Sequence, residues 1–434
     1  MTFDQIKQVF LLHGCKKIYV KELSPNDNSK NQVYLGGSFE VLNIFPITEI
    51  NADNSGNRSR DTFKARIDFA WINNDGNIFP APNAQLILYP KYPEVRFSGF
   101  LSKCIEAPSA LMTSRELGRV LFFAVTNQGK VLGHVVHKES TLNNYYRQLD
   151  GLLKHGLLSI INIDTTEDSR SILVDAMTRI HNKGWILSKR LDRFGNQLPC
   201  NAPNCGGYTL EAELGITPNG FSEPDFHGWE VKQFGVKDYE KIETQIITLM
   251  TPEPTGGIYT EKGVEYFIRQ YGYPDKLGRV DRMNFGGIHK INQYQSLTNL
   301  TMCLVGFDVS TGKIVSTDGR IALIDSQGNE AACWHFSNLL QHWNRKHHQA
   351  CYVPCKSIDK PYRQYQYGHT LILGIGTDFL RFLNLMSRGE IWYDPGIKME
   401  SASNSPKIKR RSQFRVKSRS LKDLYAENEI VRLP

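Results

Sequence analysis

Three residues in one short segment have the types and spacing to hydrolyse a phosphodiester. Asp225 stands five residues before Glu230, and Lys232 follows two residues after it, in the pattern Pro-Asp-x4-Glu-x-Lys. Residues two apart in a strand project to the same face, so Glu230 and Lys232 would lie side by side, and Asp225 can return to that edge across a glycine. Carboxylates hold Mg²⁺, which lowers the pKa of a bound water, and a lysine orients or helps to deprotonate that water. The segment therefore predicts metal-assisted phosphodiester hydrolysis.

The predicted metal is Mg²⁺ because this ion prefers oxygen ligands, which Asp225, Glu230 and the main-chain carbonyl of Val231 would supply. The sequence Glu230-Val231-Lys232 is the sole place in the chain where an acid stands two residues before a lysine. Spacing alone leaves a second interpretation open, an ion pair on an edge strand that faces water. The sequence contains no Gly-x-Ser-x-Gly, His-Glu-x-x-His or Gly-x4-Gly-Lys-Ser/Thr motif, so other hydrolase and nucleotide-loop chemistries are not indicated.

The elements before about residue 160 are predicted to be strands. Short apolar alternations are separated there by clusters of Asn, Asp, Gly and Pro, which is typical of a β-rich barrel or sandwich. The predicted strands are Lys17–Leu23, Phe63–Trp71, Gln85–Tyr89, Arg119–Thr126 and Val131–His137.

The pattern changes after a polar stretch at residues 164–168, where a second domain is predicted to begin. Apolar residues then recur at helical spacing at positions 172, 173, 176, 177 and 180. Further along, the pattern predicts strands at Trp229–Phe234, Gln245–Met250 and Met302–Val309 and a helix at Asp378–Arg388. This half is therefore predicted to be α/β or α+β.

The composition is that of a folded globular protein, with 40% hydrophobic and 22% charged residues. A length of 434 residues indicates two or three domains. No apolar run approaches the roughly 18 residues that span a bilayer, and the start Met1-Thr2-Phe3-Asp4 carries an acid where a signal peptide has a cation. We therefore expect a protein of the bacterial cytoplasm with no membrane partner.

The net charge of 52 − 44 = +8 is concentrated at the end of the chain. Residues 401–434 contain nine basic and three acidic residues and so supply +6 of this excess. Such a block indicates a polyanionic partner, with nucleic acid the leading candidate, although a solvated, disordered tail would have the same composition.

The eight cysteines are too sparse for a disulfide scaffold, and we expect them to be thiols. Two pairs are close in sequence, Cys200 with Cys205 and Cys351 with Cys355, and His347 and His348 precede the second. Their spacing admits a zinc site, but reduced thiols are the favoured interpretation.

Four motifs in the second half resemble, in order, the MvaI/BcnI family of restriction endonucleases, relatives of the mismatch-repair nickase MutH. The motifs are the segments 206–211, 224–227, 230–232 and 247–251, within a resemblance that spans roughly residues 166 to 420. The resemblance implies an Mg²⁺-dependent nuclease with a MutH-like PD-(D/E)xK fold. Asp225, Glu230 and Lys232 match its catalytic triplet, and Glu211 matches an accessory carboxylate. Without the family, Glu211 would be an ordinary first-turn helix glutamate.

The basic C-terminal stretch resembles the segment that enters a DNA groove in this family. Arg415, in Arg411-Ser412-Gln413-Phe414-Arg415, is the best base-reading candidate because arginine pairs bidentately with guanine. Arg411 is placed beside it by the same motif, and Lys417, with Lys407 and Lys409, is expected to hold phosphates. The histidine that the family places before this arginine has no counterpart here. For His369 two interpretations stay open, a DNA contact and a hydrogen-bonded structural histidine.

The N-terminal half resembles the effector domain of EcoRII-type enzymes, an all-β DNA-binding pseudobarrel of the plant transcription-factor type. Spacing alone would make the segment 19–34 a structural hairpin, and Glu94 with Arg96 a cross-strand surface pair. The resemblance implies two DNA-gripping arms. The residues it assigns to the arms are Lys21, Asn26, Asp27, Lys91, Tyr92, Glu94 and Arg96.

The pairing of these two halves resembles monomeric type IIE restriction enzymes. It implies an effector domain at residues 1–158 and a nuclease domain at residues 166–434. The expected partner is double-stranded DNA, with 5′-CC(A/T)GG cut by one domain and bound as effector by the other. Two alternatives stay open: a MutH-like enzyme that nicks one strand, and a DNA-binding regulator with an inactive nuclease domain.

Overall fold

The computed structural model describes residues 1–25, 31–53, 61–164, 168–202, 204–217 and 225–434. Asn26, Asp27 and Pro224 of the predicted motifs lie outside these ranges. Contacts between residues divide the chain into two units. The N-terminal unit comprises residues 1–166 with 313–317, and the C-terminal unit comprises residues 167–312 with 318–434.

The N-terminal unit is built mainly from two sheets. Its helices are α1 (Phe3–Leu12), α2 (Ser109–Thr113) and α3 (Thr141–Arg147), with a 3₁₀ turn at Phe39–Asn43. Its strands are β1 (Lys17–Glu22), β2 (Val33–Gly36), β3 (Ile47–Asp53), β4 (Thr62–Ile67), β5 (Phe69–Ile72), β6 (Ile78–Pro80), β7 (Gln85–Tyr89), β8 (Glu94–Ser98), β9 (Val120–Val125), β10 (Val131–Val136), β11 (Leu153–His155) and β12 (Leu158–Asn162). The sheets have the orders β11-β12-β1-β9-β10-β5-β6 and β2-β8-β7-β4-β3.

Side chains that alternate along β9 pack on both faces of the larger sheet. Phe122 joins Phe10 of α1 and Leu142 of α3 in one apolar cluster. Phe123 points the other way, where the ring of Phe69 meets Phe97 of the smaller sheet at 4.9 Å between centroids. This alternation is what the sequence pattern predicted for a β-rich half.

The prediction of one strand over Phe63–Trp71 is wrong. The chain forms β4 in one sheet and β5 in the other, with the break at Asp68. The carbonyl of Asp68 accepts a hydrogen bond from the amide of Val131 at 2.8 Å, so the chain changes partner strands at this residue. A continuous apolar run does not reveal such a switch because strands of both sheets bury apolar side chains.

The C-terminal unit contains both helices and strands. Its helices are α4 (Ser169–Asn182), α5 (Cys205–Glu213), α6 (Ile258–Glu261), α7 (Gly263–Tyr271), α8 (Phe336–His347) and α9 (Phe379–Ser387), with a 3₁₀ helix at Ser418–Leu424. Its strands are β13 (Ile186–Leu187), β14 (Lys189–Leu191), β15 (Gln197–Pro199), β16 (Glu230–Gly235), β17 (Ile246–Met250), β18 (Tyr273–Pro274), β19 (Arg282–Gly286), β20 (Tyr294–Gln295), β21 (Leu300–Val305), β22 (Phe307–Asp308), β23 (Lys313–Ile314), β24 (Arg320–Asp325), β25 (Glu330–His335), β26 (Gln349–Ile358), β27 (Gln364–Tyr367), β28 (Thr370–Thr377), β29 (Ile391–Tyr393), β30 (Gly396–Glu400), β31 (Lys407–Lys409), β32 (Phe414–Lys417) and β33 (Tyr425–Arg432), of which β23 groups with the N-terminal unit.

The central sheet of this unit has the order β13-β27-β26-β28-β33, and β16 pairs in parallel with β26. One face of the sheet packs against α4 and α5, in a core that includes Met177, Leu210, Trp229, Val231 and Cys351. Smaller sheets of order β17-β32-β29 and β18-β19-β30-β31 follow. A parallel pair with helices on one face agrees with the predicted α/β or α+β class.

Local signals placed most predicted elements correctly. The helix α9 begins after Asp378, whose carboxylate accepts from the amide of Leu380 at 2.9 Å, as expected for an N-cap. The predicted strand Met302–Val309 is divided into β21 and β22 at Gly306, which has φ 73°. The basic C-terminal tail is folded, with Phe414 and Val416 fully buried, so the interpretation of it as a disordered tail is wrong.

The expectation that all cysteines are thiols is also wrong. Cys200 and Cys205 form a disulfide at the start of α5. Cys351 and Cys355 are free and buried on one face of β26, where residues four apart are about 13 Å apart, too far for a shared metal. Among the described residues, no helix has both the length and the apolar character to cross a membrane.

We predict that Gly374→Ala destabilises the C-terminal unit. A Cβ at this position of β28 would overlap the buried ring of Tyr425, so the free energy of unfolding should fall by about 1–3 kcal/mol. Gly235→Ala in β16 is the control, because its Cβ meets nothing within 4 Å and the expected change is within about 0.5 kcal/mol. Urea unfolding followed by near-ultraviolet circular dichroism measures both; equal effects would contradict the packing argument.

Candidate active site

The strand β16 places Glu230 and Lys232 on one face of the central sheet. Trp229 and Val231 alternate with them and are buried in the core beneath α4 and α5. The Lys232 ammonium donates to Glu230 Oε1 at 2.7 Å. Glu230 is only 3% exposed, so this ion pair does not face water. The predicted side-by-side geometry follows from the two-residue repeat of a strand.

A tight turn brings Asp225 back to the start of this strand. Phe226 and Trp229 exchange two backbone hydrogen bonds of 2.9 and 2.8 Å, and the two residues between them, His227 and Gly228, have φ of 47° and 87°. Positive φ at both central positions is the signature of a type I′ hairpin turn, for which glycine is well suited. The turn lets Asp225 Oδ2 accept from the amide of Val231 at 3.4 Å.

The helix α5 carries Glu211 toward the same group. Because α5 begins at Cys205, Glu211 lies in its second half, so the interpretation of it as a first-turn glutamate is wrong. A Cβ at Gly206 would lie 3.0 Å from the Gln233 side chain, so the absence of one allows α5 to pack closely on β16. Burial, and after it the charge of Glu230, raise the pKa of Glu211.

The site concentrates negative charge in a place with little water. Burial raises the pKa of Asp225, and the charge of Glu230 raises it further. Burial would also raise the pKa of Glu230, but the charges of Lys232 and Lys346 lower that pKa. Within the described residues, Glu230 Oε2 is buried without a hydrogen-bond partner.

These oxygens fit a divalent cation. A buried carboxylate oxygen with no donor is costly unless a cation or a proton meets it, and hard Mg²⁺ takes carboxylate and carbonyl oxygens. Asp225, Glu230 and the Val231 carbonyl are therefore suitable ligands. Among the described residues, no three or more His, Cys, Asp or Glu side chains already surround one point, so this donor set depends on the main-chain oxygen and on water.

The helix α8 adds a cation that the sequence analysis missed. The charge of Lys346 lowers the pKa of Asp225, Glu230 and Glu211 alike. Lys346 lies four residues before Ala350, and Ala350 is in register with Glu230. The sequence shows only that His342 and Lys346 have i, i+4 spacing on a helix. This spacing does not predict a contact with β16, which lies more than 100 residues earlier in the chain.

His347 fixes this helix in place. Its ring stacks on Trp343 with 4.1 Å between centroids, and its Nε2 donates to the Leu249 carbonyl of β17 at 2.9 Å. The histidine is fully buried, and burial lowers its pKa to about 3. It therefore acts as a neutral structural link between α8 and β17.

The predicted base-reading arginine lies on β32, which pairs with β17 and β29. Arg415 Nη1 contacts Asp394 Oδ2 at 2.7 Å, and its Nε is buried without a hydrogen-bond partner in the described chain. Arg411 and Lys417 are exposed. Asp394 thus holds the guanidinium from one side through Nη1, and in the described chain it leaves the other N–H groups of Arg415 unused.

The register places His369 away from the carboxylates. Glu230 aligns with Ala350 and, across β26, with Gly374, which lies five residues beyond His369, a distance of about 16 Å along a strand. The His369 ring lies 6.0 Å from that of His181. This position separates His369 from the carboxylates of the candidate site.

The described residues of the two predicted N-terminal arms lie on different sheets. Lys21 is on β1, where its ammonium donates to the Glu22 carbonyl at 2.9 Å, burial lowers its pKa, and a cleft of about 600 Å³ opens beside it. On β8 of the other sheet, Arg96 pairs with Glu94 at 2.8 Å. Two further arm residues, Lys91 and Tyr92, are exposed.

Comparison with known proteins gives one family match. The model of the MvaI/BcnI restriction endonuclease family matches residues 174–425. No curated protein matches the chain.

Three solved structures show distant similarity. Restriction endonuclease MvaI in complex with cognate DNA is 19% identical, with 61% of this chain and 99% of that chain covered and a TM-score of 0.46. MvaI without DNA is also 19% identical, with 62% and 99% covered and a TM-score of 0.35. The B3 domain of the UbaLAI restriction endonuclease with cognate DNA is 16% identical, with 36% and 96% covered and a TM-score of 0.23. Because the family match alone spans more than half of the chain, this protein belongs to the MvaI/BcnI restriction endonuclease family and is a site-specific deoxyribonuclease.

Proposed function

We propose that this restriction endonuclease hydrolyses double-stranded DNA at 5′-CC(A/T)GG in an Mg²⁺-dependent reaction. It would act as a monomeric type IIE enzyme whose N-terminal domain, residues 1–158, binds a second copy of the site as effector. The nuclease domain, residues 166–434, would cut the first copy. The observation that carries the hydrolytic part is Glu230 Oε2, which within the described part of the chain is buried without a hydrogen-bond partner, near the carboxylates of Asp225 and Glu211.

Asp225, Glu230 and the carbonyl of Val231 would hold Mg²⁺. When bound, Mg²⁺ neutralises the charge that builds up on the scissile phosphate and lowers the pKa of a bound water. Burial, and after it the charge of Glu230, raise the pKa of Asp225, so the cation would also offset the repulsion between these two carboxylates.

Lys232 is the residue that would orient the attacking water. Its ammonium is held at 2.7 Å from Glu230 Oε1, which restricts its position and leaves further N–H donors for water or a phosphate oxygen. Lys346 adds positive charge on the other element that faces the site. Glu211 would act as a supporting carboxylate.

The specificity and the effector role are supported by charge and by the family resemblance. Arg415 is partly exposed and would present its guanidinium to a guanine edge, with Arg411 and Lys417 exposed nearby in sequence. In the N-terminal unit, Glu94 and Arg96 offer an acceptor for cytosine N4 and a donor fork for guanine. Each phosphate that these basic residues neutralise contributes about −0.9 to the slope of log affinity against log salt.

The proposal predicts how plasmids carrying zero, one or two CC(A/T)GG sites respond to the purified enzyme with Mg²⁺. The two-site plasmid should be linearised faster than the one-site plasmid, and the zero-site plasmid should stay intact, as resolved on agarose gels. Arg96→Ala should remove the advantage of the second site. Cleavage of the zero-site plasmid would overturn the specificity, and equal rates with one and two sites would overturn the effector role.

We predict that Lys232→Ala lowers kcat by about 10²-fold or more, because the group that orients the water is lost. Single-turnover cleavage of a one-site duplex measures the rate, and a mobility-shift assay checks that binding persists. Lys237→Ala is the matched control, since Lys237 is an exposed lysine just beyond the same strand. A Lys232→Ala enzyme as fast as the control would remove Lys232 from the mechanism.

We predict that Lys346→Met moves the acid limb of the pH–rate profile to higher pH. The charge of Lys346 lowers the pKa of Asp225 and Glu211, so its removal raises those pKa values, and the carboxylates ionise only at higher pH. The measurement is kcat/KM against pH, with Lys346→Arg, which keeps the charge, expected to retain the original limb. Coincident profiles for Lys346→Met and the unmodified enzyme would count against this role.

A further inference from the structure

A hairpin tip between β18 and β19 holds two apolar side chains almost entirely in solvent. Leu277 is 81% exposed and Val280 is 93% exposed. Single exposed apolar residues are common, but two on the tip of one short loop are better explained by a partner surface than by chance.

The tip is held rigidly by polar contacts beneath it. Asp275 accepts from the Leu277 amide at 2.9 Å and from the Asn284 side chain at 3.1 Å, and it pairs with Arg282 at 3.2 Å. At the other end of the tip, the Asp281 carboxylate accepts from the amide of Ser403 at 2.8 Å. The apolar side chains are therefore presented by a fixed scaffold, which lowers the entropy lost on binding.

The charge around the tip is positive. Exposed Lys276 precedes Leu277 and exposed Arg279 precedes Val280, whereas the acids of the tip are engaged in the contacts just described. In the same sheet Lys398 of β30 lies directly opposite Lys409 of β31. Like charges in direct register destabilise a bare sheet, so this surface is complementary to a polyanion.

The register connects the tip to the strand that carries Arg415. Arg282 aligns with Glu400, which aligns with Lys407, so Lys407 lies about 10 Å from the base of the tip. From there the chain continues next to β30 through Arg411, whose carbonyl accepts from the Gly396 amide at 2.8 Å. Cations stand at alternate positions of this extended chain, at residues 407, 409, 411, 415 and 417. The segment is about 33 Å long, which is close to the length of one turn of duplex DNA.

We propose that the tip is a minor-groove wedge for DNA that flanks the recognised site. Leu277 and Val280 would enter between base steps, and Lys276 and Arg279 would contact the phosphates on either side. Apolar side chains flanked by cations act in this way where proteins kink duplexes. The inference rests on the proposed DNA contact along residues 407–417 and adds a second, sequence-tolerant contact beyond it.

The test compares the double variant Leu277→Ser/Val280→Ser with the unmodified full-length enzyme. Binding with Ca²⁺ in place of Mg²⁺ is measured by fluorescence anisotropy on a duplex of about 30 base pairs and on one trimmed to about 10 around CC(A/T)GG. We expect the Kd for the long duplex to rise about tenfold and the Kd for the short duplex to stay constant. When 2-aminopurine replaces the flanking base, its fluorescence should increase on binding of the unmodified enzyme and should not increase on binding of the variant. Ile430→Ser, at a 63% exposed position of β33, is the control and should behave as the unmodified enzyme.

Equal Kd values for variant and unmodified enzyme on the long duplex would overturn the wedge, as would an equal loss on both duplexes. A second variant, Lys276→Ala/Arg279→Ala, should lower the salt slope on the long duplex by about 2. The same measurements on a long duplex without CC(A/T)GG separate the two proposals. If the unmodified enzyme does not prefer the CC(A/T)GG duplex, the proposed specificity fails, whereas a length-dependent loss in the variant would still support the wedge.

Discussion

The contact between Lys232 and Glu230 is the interaction on which the rest of the candidate active site depends. Glu230 is 3% exposed, and a carboxylate so deeply buried would normally take up a proton. Lys232 at 2.7 Å keeps it charged, and that charge in turn acts on Asp225 and Glu211. The result is a group of neighbouring acids that suits a cation, and within the described residues Glu230 Oε2 has no hydrogen-bond donor.

Three elements converge on this pair, and a different structural feature positions each of them. The turn at His227 and Gly228 returns Asp225 through backbone conformation. The helix α5 approaches because Gly206 has no side chain. The helix α8 is anchored by the hydrogen bond of His347 to the Leu249 carbonyl, which also joins it to β17, the partner strand of β32. The proposed catalytic carboxylates and Arg415, the proposed base-reading residue, are thereby linked through packed elements within one unit.

Local patterns predicted the parts of the site that lie within a few residues of one another. The alternation of Trp229, Glu230, Val231 and Lys232 between core and site is a strand property, and the glycine at position 228 signalled the turn. The same kind of pattern failed at Asp68, where one apolar run serves two sheets, and at Cys200 and Cys205, whose pairing depends on how the start of α5 packs. Lys346 was missed because its relation to Glu230 arises from the pairing of β16 with β26.

The sequence by itself determined the chemical identity of the site: two carboxylates and a lysine at strand spacing, a basic end of the chain, and the motif order of a restriction endonuclease family. These are properties of neighbouring residues, which the two-residue repeat of a strand places on one face whatever the rest of the chain does. Tertiary structure alone decided that Glu230 is buried, that Lys346 and Glu211 face it, and that Leu277 and Val280 are held in solvent beside a cationic sheet. Burial and register join residues far apart in the chain, and the electrostatics of the site depend on those distances.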